Sequence, residues 1–445
     1  MPKENSTDGT LGYRSWGRLK KSKSSEVRLY WPEFDFRAHD GSQSFLPYGI
    51  GRSYGDSCEN EGNTLLCCAN LKRFIAFDNV AGVLRAEAGV TLDQVLRLVV
   101  PRGWFLPTTP GTKFVTLGGA VANDVHGKNH HRVGSIGEHV KKFELLRSNG
   151  ERILCSRESN PDWFAATIGG LGLTGLMTWV ELQLRPIVSS AIEAETIKTQ
   201  HFDEFLELSK ESDKTFEHTV CWIDCLSPRR NLGRGLFMRG NHCADKGQGL
   251  GVHNDPRVNV PLSMPFNPLS KPALKAFNTV YYHKQRSRVV KGLQTYDSFF
   301  YPLDGVGNWN RMYGKRGFFQ YQFVIPFANC REPMLEILGK ISASGFGSFL
   351  GVLKVFGNRE NRGLLSFPRE GVTLALDFPN KGQATLNLFE QLDQVVLAAG
   401  GRLYPAKDAR MSPELFRSGY EAALGQFEKF KDPRFSSSFW RRVTD

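Results

Sequence analysis

Binding a phosphate-bearing ligand takes backbone donors with no side chains in the way. The run Pro47-Tyr48-Gly49-Ile50-Gly51-Arg52-Ser53-Tyr54-Gly55-Asp56-Ser57 offers such a stretch. Its three glycines leave N–H groups free to converge on an anion, with Arg52 and Ser53 as side-chain donors. The Gly-x-Gly-x-x-x-Gly spacing misses the dinucleotide fingerprint, and no Gly-Lys-Ser/Thr follows, so neither a Rossmann turn nor a triphosphate loop fits. Two more Gly-rich segments lie downstream: Pro110-Gly111-Thr112 on to Lys128, and Gly169-Gly170-Leu171-Gly172-Leu173-Thr174-Gly175. Three such loops from one part of the chain can enclose a long diphosphate cofactor.

Other chemistry-bearing residues are fewer. His126, His130 and His131 cluster, but no carboxylate or cysteine completes a ligand set, so no metal is expected. Lys128, beside His126, is placed to neutralise a substrate phosphate. Gln320 and Gln322, two apart on one strand face, can hydrogen-bond sugar hydroxyls.

These residues need elements to hold them. Leu84–Val90 reads as a strand, followed by a short helix capped by Thr91 and stopped by Pro101-Arg102-Gly103. Val140–Leu146 turns at Asn149-Gly150 into Arg152–Leu154, and Met177–Leu184 alternates up to a boundary near Pro186. A second unit starts at Ile192 with an amphipathic helix over 202–209, and strand patterns resume at Phe319–Val324 and Val372–Phe378. Residues 226–272 show little periodicity and read as a long loop, with Leu262, Met264, Phe266 and Leu269 offering apolar contacts to a lipid. Leu388–Ala399 reads as a helix, and the tail from Tyr404 as mostly helical.

At 445 residues, with 40% hydrophobic and 23% charged residues, the chain has room for two domains. No run approaches the roughly 18 apolar residues of a spanning helix, and the N-terminus lacks a signal core. Eight scattered cysteines read as reduced thiols, and the cytoplasm is the expected compartment. The net charge of +12 is partly concentrated in 18–23 and 271–291. No nucleic-acid motif accompanies it, so nucleic acid is not an expected partner. Peripheral contact with an anionic inner-membrane face is the alternative to a merely solvated basic surface.

Several blocks together carry a resemblance: Gly51–Asp56, Ala88–Gln94, Asp124–His131, Gln320–Phe323, Asp377–Pro379 and Gly401–Asp408. From about Gly49 onward the chain resembles the vanillyl-alcohol-oxidase (PCMH-type) superfamily of FAD-dependent oxidoreductases. Within it the likeness is to the branch of decaprenylphosphoryl-ribose 2'-oxidases, the flavin subunits of an epimerase. The resemblance implies an α+β fold: an FAD-binding domain over 1–189, a substrate domain on an antiparallel sheet over 190–401, and a C-terminal segment, 402–445, returning to the first.

It assigns FAD contacts to residues 47–57, Gly111, Thr116, Leu117, Gly118, Gly119, Asn123, Asp124, Val125, His126, Met177 and Tyr404. It places Lys407 as the base for alcohol oxidation, with Tyr54 and His126 as further catalytic candidates. Lys128, Arg311, Gln320, Gln322, Lys354, Ala375 and Lys407 would border the substrate. Tyr54 stands where many relatives carry a flavin-linking histidine, so FAD is expected to be non-covalent. Ala375 and Thr373 replace a cysteine and an asparagine of mycobacterial members, which leaves the activity class intact and the substrate choice open. The implied reaction oxidises a secondary hydroxyl of a sugar, the 2'-hydroxyl of a polyprenyl-phosphate pentose, for an NAD(P)H-dependent short-chain reductase to complete. Oxidation of a soluble sugar or aldonolactone, or flavin binding without turnover, are the alternatives.

Overall fold

A computed structural model describes residues 6–252, 258–263, 270–360 and 362–444. Met264, Phe266 and Leu269 of the expected lipid-contacting loop lie outside the described residues. The N-terminal half carries two sheets. The first is four-stranded and mixed, and contains the strands Phe45–Tyr48 and Thr64–Cys67. The second is a five-stranded antiparallel sheet with Leu176–Gln183 at its centre. The helix Leu92–Val99 that follows Val83–Glu87 has a full capping box: Gln94 N–H donates to the Thr91 side chain, and the Gln94 side chain accepts from Thr91 N–H. Such a cap contributes about 1 kcal/mol. The helix entry is also tied to the second Gly-rich segment, since Leu92 N–H donates to Val115 and Leu117 N–H to Val90.

An eight-stranded antiparallel sheet forms the second half. Its alternation decides what each face does. In Phe318–Ile325, Tyr321, Phe323 and Ile325 are buried in a core shared with the helices Arg331–Ser344 and Gln383–Ala398. In Gly371–Pro379, Val372, Leu374, Leu376 and Phe378 join that core. The intervening Gln320, Gln322, Ala375 and Asp377 line a cavity on the opposite face. The register pairs Gln320 with Asp377, Gln322 with Ala375, and Lys354 with Thr373. A slip of one residue would bury these polar groups in the helix-covered core, so core burial fixes the site's composition.

The expected loop over 226–272 needs correction. Gly235–His242 is an interior strand, paired with Ala191–Thr199 on one side and His218–Ile223 on the other. Gly235, Gly240 and Asn241 mask its pattern. Gly235 and Gly240 are required there by close packing, because a Cβ would come within 2.1 Å of Trp222 O and 2.8 Å of Glu193 O respectively.

Arg402–Leu403 gives the large sheet its eighth strand, paired with Phe323 and Val324, and the residues after it also pack on the N-terminal half. Phe45 N–H donates to Arg434 O, Ser148 bonds Asp432, and Arg442 pairs with both Asp56 and Asp408. No helix among the described residues is long and apolar enough to cross a membrane.

Candidate active site

One large cavity, about 1030 Å³, lies between the two halves. The first Gly-rich loop forms part of its wall. The amides of Ile50 to Ser53 donate to no partner among the described residues, and buried Arg52 Nε has none either. A buried donor such as Arg52 Nε is normally paired, and with the free amides beside it on the cavity wall it suits an anion. The Arg52 guanidinium is held 4.1 Å over the Trp16 ring. Gly111 lies on the same cavity, and a Cβ there would meet no protein atom within 4 Å. A free-amide cradle, an unpaired guanidinium and a roomy slot fit the diphosphate and ring system of FAD.

Most residues assigned to FAD line this cavity: Pro47 to Tyr54, Ser57, Gly111, Thr116, Gly118, Gly119, Asn123, Val125, His126, Met177 and Tyr404. Four do not, and each has a structural task. Leu117 is a core side chain. Asp124, at φ 42°, accepts from Ser135, Ser366 and Gly137 N–H and so shapes the turn before His126. Asp56 is paired with Arg442. At Gly55 a Cβ would lie 1.7 Å from Asp408 O, so this glycine admits the C-terminal segment and not a phosphate. That segment is stitched on by Tyr54 N–H donating to Ala406 O.

Lys407, on the short turn Pro405–Lys407, points its Nζ at the Tyr54 ring, 3.9 Å from the centroid. It lines the cavity. Burial brings its pKa down to about 7, with Lys354 lowering it further and Asp377 opposing. Asp377 was not singled out from sequence. Its Oδ1 accepts from Gln320 Nε2 at 2.6 Å, Oδ2 is buried without a partner, and burial raises its carboxyl to about 7. An amine and a carboxyl that both titrate near neutrality, on one wall, form an acid–base pair.

Lys128 and Lys354 also line the cavity, with pKa values brought by burial to about 7 and about 8. They donate to the Phe299 and Gly127 carbonyls, and neither has a carboxylate partner among the described residues. They are cationic donors suited to an anionic or hydroxyl-rich ligand.

The other two catalytic candidates take different roles. His126 packs against Phe356, Phe367 and Tyr404, and its pKa is pushed well below the usual value by burial and then by Lys354. It stays neutral, and its Nε2 accepts from Gln322 Nε2 at 3.1 Å, orienting that amide. Burial keeps the Tyr54 phenol protonated, so it is a wall and a potential donor but not a base. His130 packs at a tilt against Phe356 and His131 bonds Phe216 O, and the described residues contain no metal-binding group of side chains. Arg311 is not on the cavity wall. Its guanidinium holds the carbonyls of Val260 and Pro261.

The cavity's apolar side is not legible in sequence. It is lined by Trp222, Met238, Leu274, Phe277, Tyr281 and Phe349, and Phe277, 46% exposed, brings this side to the surface as a mouth.

Comparison with known proteins sets the class. A family model described as an FAD binding domain matches residues 37–156. Together with the near full-length match that follows, this makes the chain an FAD-dependent oxidoreductase of the PCMH type. It is 36% identical over 420 residues to the decaprenylphosphoryl-β-D-ribose oxidase of Mycolicibacterium smegmatis, covering 91% of this chain and 90% of that one. An uncharacterised protein in the mprA 5' region of Streptomyces coelicolor is 30% identical over 80% of this chain and 100% of its own. A putative D-arabinono-1,4-lactone oxidase of Neurospora crassa is 30% identical over 32% of this chain and 25% of that one. On the first of these matches, the chain belongs to the decaprenylphosphoryl-β-D-ribose oxidase family.

Proposed function

We propose that this enzyme oxidises a secondary hydroxyl of a sugar carried on a polyprenyl phosphate, the 2'-hydroxyl of a pentose, to the keto sugar. The product then requires an NAD(P)H-dependent reductase of the short-chain type to complete an epimerisation. The observation that carries this reading is the cavity's two-part lining, polar at Lys407, Asp377, Gln320, Gln322, Lys354 and Lys128 and apolar at Trp222, Met238, Leu274, Phe277 and Tyr281. A sugar suits the first, and a prenyl chain the second.

FAD, when bound, supplies the hydride acceptor. Ile50 to Ser53 and Arg52 would hold its diphosphate. Neutral Lys407 takes the proton of the substrate hydroxyl as the C–H bond is oxidised. Asp377 raises the basicity of Lys407 while its carboxyl is held by Gln320. Gln322, fixed by His126, and Lys354 are placed to orient the remaining hydroxyls. Lys128 is placed to meet a phosphate or hydroxyl oxygen. The FAD-binding unit would comprise 1–189 and 402–445, joined through Arg442, Asp56, Asp432 and Ser148, with 190–401 as the substrate unit. A cytoplasmic enzyme working at the inner membrane face is consistent with a lipid-borne substrate.

The test is flavin reduction under anaerobic conditions by prenylphosphoryl ribose, with a soluble aldonolactone beside it. Reduction by the prenyl substrate alone supports the reading. Reduction by the lactone alone would replace it with a soluble-sugar oxidase, and no reduction by any sugar would favour a flavin-binding protein without turnover.

A further inference from the structure

The helix Lys271–Lys284 has two sides with different fates. Leu274, Asn278 and Tyr282 are buried against the large sheet. Asn278 donates to the Asp224 carboxylate and Ser348 O, and Tyr282 to Thr199 O, so the helix is fixed in place. On the other side Phe277 and Val280 are 46% and 70% exposed. The following edge strand, Val289–Thr295, adds Val289, Val290 and Leu293, each more than 40% exposed. Isolated exposed apolar residues are ordinary, but five on two successive elements are not.

Charge completes the pattern. Residues 271–295 contain six lysines and arginines and no acidic residue. Arg288 and Lys291 are paired with Glu204 and Glu195. Lys271, Lys275, Lys284 and Arg286 are exposed and have no ion-pair partner among the described residues. Lys271 and Lys275 also border, with Arg234, Thr279 and Ser342, a hollow of about 420 Å³. Exposed apolar side chains and unpaired cations on one fixed helix are what an interfacial membrane helix presents.

The same helix borders the active-site cavity through Ala273, Leu274, Phe277 and Tyr281. We infer that the helix Lys271–Lys284 and the turn after it are the face by which this enzyme docks on an anionic lipid bilayer. Docking there sets the apolar mouth against the membrane, so that a prenyl chain enters without crossing water. The delivery step rests on the proposed function, whereas the docking face rests only on surface chemistry.

The test is flotation of the FAD-loaded full chain with vesicles of phosphatidylcholine alone, or of equal parts phosphatidylcholine and phosphatidylglycerol. Binding is expected to the anionic vesicles only, and to weaken with salt. Replacing Lys271, Lys275, Lys284 and Arg286 together by serine should weaken it by roughly 100-fold or more, since each cation near an anionic surface is worth about fivefold. Val280→Asp, a single change at an exposed position, should weaken it by about tenfold and keeps the proposal falsifiable if the fourfold variant fails to fold. Lys21→Ser with Lys23→Ser, at the other basic segment, should bind like the parent. Failure to bind anionic vesicles, equal binding to neutral ones, parental binding by the helix variants, or an equal loss in the Lys21/Lys23 control would each overturn the assignment. None of these outcomes bears on anaerobic flavin reduction by a substrate in free solution, so failure of the docking face and failure of the proposed reaction are told apart.

Discussion

Lys407→Met removes the amine while keeping an unbranched apolar stem against the Tyr54 ring. With its pKa at about 7, the lysine is about 9% neutral at pH 6, half neutral at pH 7 and about 91% neutral at pH 8, one pKa unit being a factor of ten in the ratio of forms. If the neutral amine takes the hydroxyl proton, kcat/KM rises about tenfold from pH 6 to pH 8. The sign is fixed by the role: a base works deprotonated, so activity is lost as pH falls through about 7. The Met variant should lose about 100-fold to 10,000-fold of that rate at pH 8, and the residual rate should lack the lysine's rise with pH. The assay is anaerobic stopped-flow reduction of the bound flavin, on protein whose visible spectrum shows full FAD occupancy. A variant within a few-fold of the parent, or one that keeps the pH-dependent rise, would refute the assignment of Lys407 as base. A parental rate that falls with rising pH would do the same, because it would require the lysine as a cation.

Asp377→Asn keeps the acceptor for Gln320 but removes the charge that raises Lys407, so the acidic limb of the pH–rate profile should move to lower pH; an unmoved limb would mean the two groups are not coupled. Gly111→Val, whose Cβ meets no protein atom, should fold with parental secondary structure by circular dichroism but purify without yellow colour. Gly55→Ala, whose Cβ falls 1.7 Å from Asp408 O, should instead lower the melting temperature of flavin-free protein; fully flavinated Gly111→Val protein or undiminished Gly55→Ala stability would contradict these readings. Acid precipitation should release all of the FAD into the supernatant, because Tyr54 offers no histidine linkage, and fluorescence remaining on the denatured chain would show otherwise.

The large sheet's site was legible because alternation was visible: Gln320 and Gln322 between aromatic neighbours can only face the other way. The capped helix after Val90 was equally plain, since capping is a local event. What escaped depends on contacts between distant parts of the chain. Trp16, from the segment of weakest resemblance, is recruited under Arg52 by a cation–π contact 36 positions away. Asp377 gains its chemistry from burial beside Lys407, and burial is not written in the neighbouring residues. Gly55 reads like its neighbours as a phosphate glycine, yet it is the C-terminal segment that needs its missing side chain. Gly235–His242 hid its strand character because its glycines are there for sheet packing. The resemblance places Arg311 at the substrate pocket, but its guanidinium is taken up by the backbone of 260–261.

The central claim is that this cavity joins a sugar-oxidising floor to a prenyl-accepting mouth. The most direct measurement compares anaerobic flavin reduction by ribosyl phosphates with and without a prenyl chain, in the parent and in Trp222→Ala with Phe277→Ser. The structure predicts that in the parent the prenyl substrate reduces the flavin at far lower concentration than the short one, and that the mouth variant loses this advantage while still turning over the short substrate. Equal concentration dependence for both substrates in the parent, or an undiminished prenyl advantage in the variant, would contradict it.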